Sequence, residues 1–170
     1  LGGLAIKTSN SKYKLNLLHL QNGESKAGEF DFENSNLGAN FEAKQYNLEY
    51  GQRSLSSILL GGTHFLGGNM WEINWKMAPT LSQISDPDIR FTRFRLPNNT
   101  ISTEVGLPAR IWRELEEINM VSRVDLTRKL MLMNRDAKVK FGANYVFKDR
   151  EFNIQAFQFA TGNTQFTGDP

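Results

Sequence analysis

The residues best suited to chemistry lie between positions 86 and 95. Arg90, Arg93 and Arg95 alternate with Phe91 and Phe94. Guanidinium groups suit carboxylates and phosphates, and aromatic rings suit sugar faces, so this run is a candidate ligand-contacting wall. The competing expectation is structural: Glu114, Glu116 and Glu117 fall where an antiparallel return strand would pair with these arginines. Just upstream, Asp86-Pro87-Asp88 sets two carboxylates at i and i+2. Such a pair can share a calcium ion, but no full ligand loop follows, and a turn capped by Asp86 and fixed by Pro87 is the expected reading. His19 and His64 are the only histidines. Each sits in a strand-like run with no second ligand at metal spacing, so a structural role and no metal is expected. Asn98 and Thr100 match a glycosylation sequon, read here as incidental. No G-x-S-x-G, H-E-x-x-H or P-loop pattern is present, and there is no Cys. No enzyme activity and no cofactor is expected.

Composition narrows the class. The 170 residues carry 20 Lys+Arg against 18 Asp+Glu, a formal charge of +2. That balance argues against a nucleic-acid partner. The absence of Cys removes disulfide scaffolds and thiolate metal sites. The longest apolar runs, such as Leu130-Met131-Leu132-Met133, fall far short of the ~20 residues a spanning helix needs. The sequence opens at Leu1 inside a strand-like run, so a segment of a longer protein is expected.

Period-two alternation dominates the elements that must position these residues. Trp71, Ile73, Trp75 and Met77 alternate with Glu72, Asn74 and Lys76. Val139, Phe141, Ala143, Tyr145 and Phe147 alternate with Lys138, Lys140, Asn144 and Lys148. Three tight turns are predicted, at Ser9-Asn10-Ser11, Gly67-Gly68-Asn69 and Asn134-Arg135-Asp136. Two long polar loops are predicted between them, Gln21 to Asn40 and Asp86 to Arg110. Short turns alternating with long loops, and strands longer than the ~3–10 residues of soluble domains, point to an up-and-down transmembrane β-barrel. Tyr13, Phe65, Trp71 and Trp75 sit near the short turns, as a lipid-facing aromatic girdle would. The facing is ambiguous from Ser54 to Leu60. Near Lys148 to Glu151 the apolar positions pass from odd to even, so either a bulge or exit from the bilayer is expected. Arg128 falls on the apolar face, close to the Asn134 turn.

The stretches Tyr13–Phe30, Tyr46–His64, Trp71–Phe94 and Ala137–Phe157 resemble the barrel of TonB-dependent outer-membrane receptors of Gram-negative bacteria. The resemblance implies a 22-stranded barrel in the outer membrane, closed by a plug and driven by the TonB energy-coupling complex. It implies import of a nutrient such as an oligosaccharide, peptide or siderophore. About six strands of such a barrel are expected here, with plug and remaining strands elsewhere. Implied partners are outer-membrane lipid, the rest of the receptor and a surface lipoprotein over the loops. The Arg90–Arg95 run would then meet ligand or lipopolysaccharide phosphates. Two rival readings stand beside it: a receptor-like scaffold in an assembly or secretion complex, and a soluble lipocalin-like binding module.

Overall fold

A computed structural model describes residues 1–34, 40–101 and 105–159. The chain is all-β. Six strands, β1 (Gly2–Lys7), β2 (Ser11–Asn34), β3 (Phe41–Leu66), β4 (Trp71–Arg95), β5 (Ala109–Leu132) and β6 (Arg135–Gln158), form one antiparallel sheet. Each strand lies beside its sequence neighbour, in the order β1 to β6. Among the described residues there is no helix.

Local chemistry sets the tight turns. Ser11 N–H donates to Thr8 Oγ1 at 3.1 Å and Thr8 N–H to the Ser11 carbonyl at 2.8 Å, closing the β1–β2 hairpin. Gly67, Gly68 and Asn69 all adopt positive φ, at 59°, 65° and 73°. Glycine and asparagine tolerate that region best. The third turn is centred one residue earlier than predicted. Met133 and Asn134 carry the positive φ values, 49° and 64°, and Arg135 already belongs to β6. Two consecutive left-handed residues give the twist a two-residue hairpin needs.

Much of the two predicted long loops is strand. β2 continues through Gln21 to Asn34, and β4 runs across Asp86 to Arg95. Polar residues populate both faces of these stretches, so no apolar alternation marks them. Ladder hydrogen bonds hold them all the same.

Pro87 changes the facing of β4. Before it, odd residues of β3 meet even residues of β4: Thr63 with Asn74, Ser57 with Thr80, and Gly51 against Asp86. Beyond it, Gln45 meets Arg93, and the Leu96 N–H donates to the Glu42 carbonyl. On β5 the facing changes too: Arg113 meets Asp86, whereas Asp88 is reached diagonally by Arg110, on the other face of that strand. One extra residue therefore sits in β4 at Pro87. A bulge leaves one residue out of the ladder, and proline has no N–H to lose there. The predicted turn at Asp86-Pro87-Asp88 is this bulge within a strand.

No such shift occurs in β6. Arg150 and Lys148 both meet Glu117, Phe157 meets Trp112, and the Phe159 N–H reaches the Pro108 carbonyl in the same register. The change in apolar parity near Glu151 is one of composition: Phe152 and Ile154 stand on the face that carries Arg150.

The contacts group into two compact units. One comprises Leu1–Gln21, Ser54–Gln83 and Glu116–Glu151; it contains all three tight turns. The other comprises Asn22–Arg53, Ile84–Leu115 and residues from 152 onward. Neither has a conventional core. Among the described residues, the buried apolar side chains are Ala43, Ile89 and Val105, all in the second unit.

Candidate functional site

The first unit presents two chemically opposite faces. One carries Leu4, Ile6, Tyr13, Leu15, Leu60, Trp71, Ile73, Trp75, Val124, Val139, Phe141 and Tyr145. Alternation along each strand and the pairing of Ile6 with Tyr13 and Leu4 with Leu15 put them together. Phe141 is 67% exposed, Tyr145 60% and Ile6 52%.

Near the tight turns this face is edged by amphipathic groups. The Trp75 indole N–H donates to His64 Nε2 at 3.0 Å. An indole nitrogen only donates, so Nε2 carries no proton, and Nδ1–H donates to Ser11 Oγ at 3.0 Å. Tyr13 packs edge-on to the same imidazole at 5.3 Å. The Arg128 guanidinium lies 4.9 Å from the Trp71 ring centroid, a cation–π contact that shields its charge on an otherwise apolar face. Of the four predicted girdle residues, Tyr13, Trp71 and Trp75 share this face. Phe65 does not. It lies on the opposite face under Lys12, whose Nζ is 5.9 Å from the ring centroid.

Gly62 makes the Trp75 position available, since a Cβ there would meet the indole ring. Gly62→Val is expected to destabilise the protein by about 1–3 kcal/mol through overpacking. The Trp75 fluorescence should shift as the ring is displaced, while Gly61→Ala, where a Cβ finds ordinary contact distances, should leave it unchanged.

The opposite face of the first unit is a charged network. Glu117 accepts from Arg150, Lys148 and Asn119. Asp125 accepts from Arg123 at 2.9 Å and pairs with Lys140 at 3.7 Å, and Gly142 opposite leaves room for its carboxylate. Thr63, Asn74 and Glu72 form a hydrogen-bonded chain across β3 and β4. Sequence reading did not single out Glu117 as an ion-pair hub. Its signal was the cation pair Lys148 and Arg150 at i and i+2, in antiparallel register with it.

In the second unit, strand alternation in β4 divides the predicted basic-aromatic run between faces. Arg90 and Phe94 point one way, and Phe91, Arg93 and Arg95 the other. Arg90 pairs with Asp88, to which Arg110 also donates at 2.9 and 3.1 Å. Arg110 lies over Trp112 at 5.0 Å, and Trp112 packs edge-on to Phe157. Phe94 packs against Tyr46. On the other face, Arg93 donates to Gln45 and to the Val105 carbonyl and covers Phe32 at 5.5 Å, while Arg95 lies 5.9 Å from the Phe41 centroid. The expected pairing with the β5 acids is not formed by Glu116 or Glu117. Glu116 accepts from Gln83, and Glu117 is held by β6. Asp86 and Asp88 face opposite sides, each bound by arginine, so the pair cannot share one calcium ion. His19 bonds to Ser56 at 2.9 Å, and no metal-like cluster of acids and histidines occurs among the described residues.

Arg90 and Arg110 hold the Asp88 carboxyl at about 2, below its usual value. A lowered folded-state value stabilises above the unfolded pKa of about 3.9 and loses its effect as pH falls through about 2. The melting-temperature gap between wild type and Asp88→Asn is therefore expected to close between about pH 4 and pH 2, read from thermal melts across that range.

No protein-family model matches this sequence, and no curated protein matches it.

Proposed function

We propose that the chain is a stretch of wall from a TonB-dependent outer-membrane receptor, importing a nutrient across the Gram-negative outer membrane. The observation that carries this reading is the uncovered apolar face of the first unit. Phe141, Tyr145 and Ile6 would face water in a soluble protein, where large contiguous apolar patches are rare. Against acyl chains the same face is matched to its solvent. The opposite face, with Glu117, Asp125 and their cations, suits a wet lumen. The Trp75–His64–Tyr13 and Arg128–Trp71 contacts suit the interfacial layer, where amphipathic rings collect.

A lipocalin-like module is disfavoured, because such a barrel turns its apolar rows inward. The outer edges of β1 and β6 are unpaired within the sheet. Unpaired backbone in lipid costs several kcal/mol per group, so further strands of a closed barrel, 22 by the resemblance, must flank them. Strands of 24 to 26 residues exceed the ~9–11 needed to span, so part of their length would project beyond the bilayer. The arginine-aromatic face of the second unit, with Arg90, Arg110 and Trp112, is the part suited to an anionic or sugar ligand.

The test is genetic and physical together. The intact protein should fractionate with the outer membrane, and deletion of its gene should abolish TonB-dependent growth on one nutrient. Recovery in the soluble fraction, or unchanged uptake of every nutrient tried, would refute the proposal.

A further inference from the structure

We propose that the second unit holds a binding site for the ammonium–carboxylate pair of an α-amino acid, free or as the charged end of a larger ligand. The site is a half-open polar cavity of about 150 Å³. It lies on the face of the sheet that carries Asp86, opposite Arg90 and Trp112. Its floor is Gly51 of β3, where a Cβ would meet the Asp86 carboxylate at 2.6 Å. Glu24 and Lys26 of β2 form one bank, and Asp86 of β4 with Arg113 of β5 the other. Glu49 and Arg53 stand two residues to either side of Gly51, and strand alternation puts all three on this face. The Pro87 bulge completes the wall. It turns Ile89 to the same face as Asp86, where it is buried and gives the cavity one apolar side.

The two banks are already satisfied. Lys26 pairs with Glu24 at 3.1 Å, and Arg113 donates to Asp86 at 3.0 Å. Glu49 and Arg53 are not: neither has a hydrogen bond or ion pair among the described residues. Four residues of strand separate their Cα atoms by about 13 Å, which leaves room for a small group between the two side chains. A lone anion there would meet Arg53 and leave Glu49 unmatched, and a lone cation would do the reverse. One molecule carrying an ammonium beside a carboxylate matches both, with the Arg53 fork suited to the carboxylate. The volume is below the ~300–1,000 Å³ of pockets that enclose a drug-sized ligand, so the cavity takes one charged end.

The cavity belongs to the second unit alone, whereas a part in import rests on the receptor reading, and the test separates the two. Ligand-observed NMR on the full protein in detergent is expected to show binding of L-leucine. N-acetyl-leucine, which lacks the ammonium, and leucinamide, which lacks the carboxylate, should each bind about tenfold or more weakly. In Glu49→Gln the acetylated probe should compete as well as leucine, and in Arg53→Gln leucinamide should. Both variants should melt with the wild type, since neither side chain holds another. Equal binding of the three probes by the wild type, or no binding of leucine, would overturn the site. So would an equal loss of all three probes in both variants, the mark of a structural role. Leucine binding by a protein recovered from the soluble fraction would support the site and overturn the receptor reading.

Discussion

Phe141→Arg is expected to destabilise the protein in a bilayer by about 2–4 kcal/mol, the cost of a guanidinium on the lipid side of a barrel near mid-depth. Phe141 stands six steps into β6, about 20 Å along the strand. At a tilt of about 40° that is about 15 Å of depth, close to the middle of the hydrocarbon layer. The same substitution at Asn144, on the opposite face of the same strand, is expected to cost less than about 0.5 kcal/mol. Reversible guanidinium unfolding from lipid vesicles measures both. Equal costs at the two positions would mean that the two faces meet the same solvent.

Deleting Pro87 is expected to have a comparable or larger effect, confined to the second unit. Without the extra residue, everything from Asp88 to Arg95 changes face. Asp88 loses Arg110, Arg93 loses Gln45, and Ile89 leaves its buried position. A one-residue slip inverts every side chain that follows it. Loss of the Ile89 burial alone costs about 2–5 kcal/mol. Pro87→Ala keeps the residue count and is expected to cost about 1 kcal/mol or less. Hydrogen exchange should show lost protection in β4 beyond Asp86 for the deletion and near-normal protection for the substitution. Normal protection in both would show that the bulge does not set the facing.

The parts of the fold visible in the sequence are those where one face is apolar and the other polar. From Trp71 to Met77 and from Val139 to Phe147, alternation gave the strands and the sorting of residues to faces. The glycines at 67 and 68 and Asn134 gave the turns, because few other residues take positive φ. Strand β2 beyond Gln21 looks like loop in the sequence, because a strand wet on both sides leaves no period-two mark. Nearness to a turn suggests a girdle position for Phe65, but facing follows parity with its neighbours. His64 fixes that parity by meeting Tyr13 and Trp75, which leaves Phe65 beside Lys12. The basic-aromatic run reads as one surface only if it lies in a loop, where strand alternation does not apply, and nothing local announces that Pro87 is an unpaired strand residue and not the start of that loop. Only partners on β3 and β5, distant in sequence, reveal it.

Because the chain has no Cys, single cysteines can be introduced and spin-labelled one at a time. The most direct test of a lipid-facing and a wet face is paramagnetic accessibility along residues 137–147 of β6, measured in vesicles. Odd positions, from Ala137 to Phe147, should collide preferentially with oxygen, which concentrates in lipid. Lys138, Lys140 and Asn144 should collide preferentially with a water-soluble nickel chelate. Equal exposure of both sets to the nickel chelate would contradict the account.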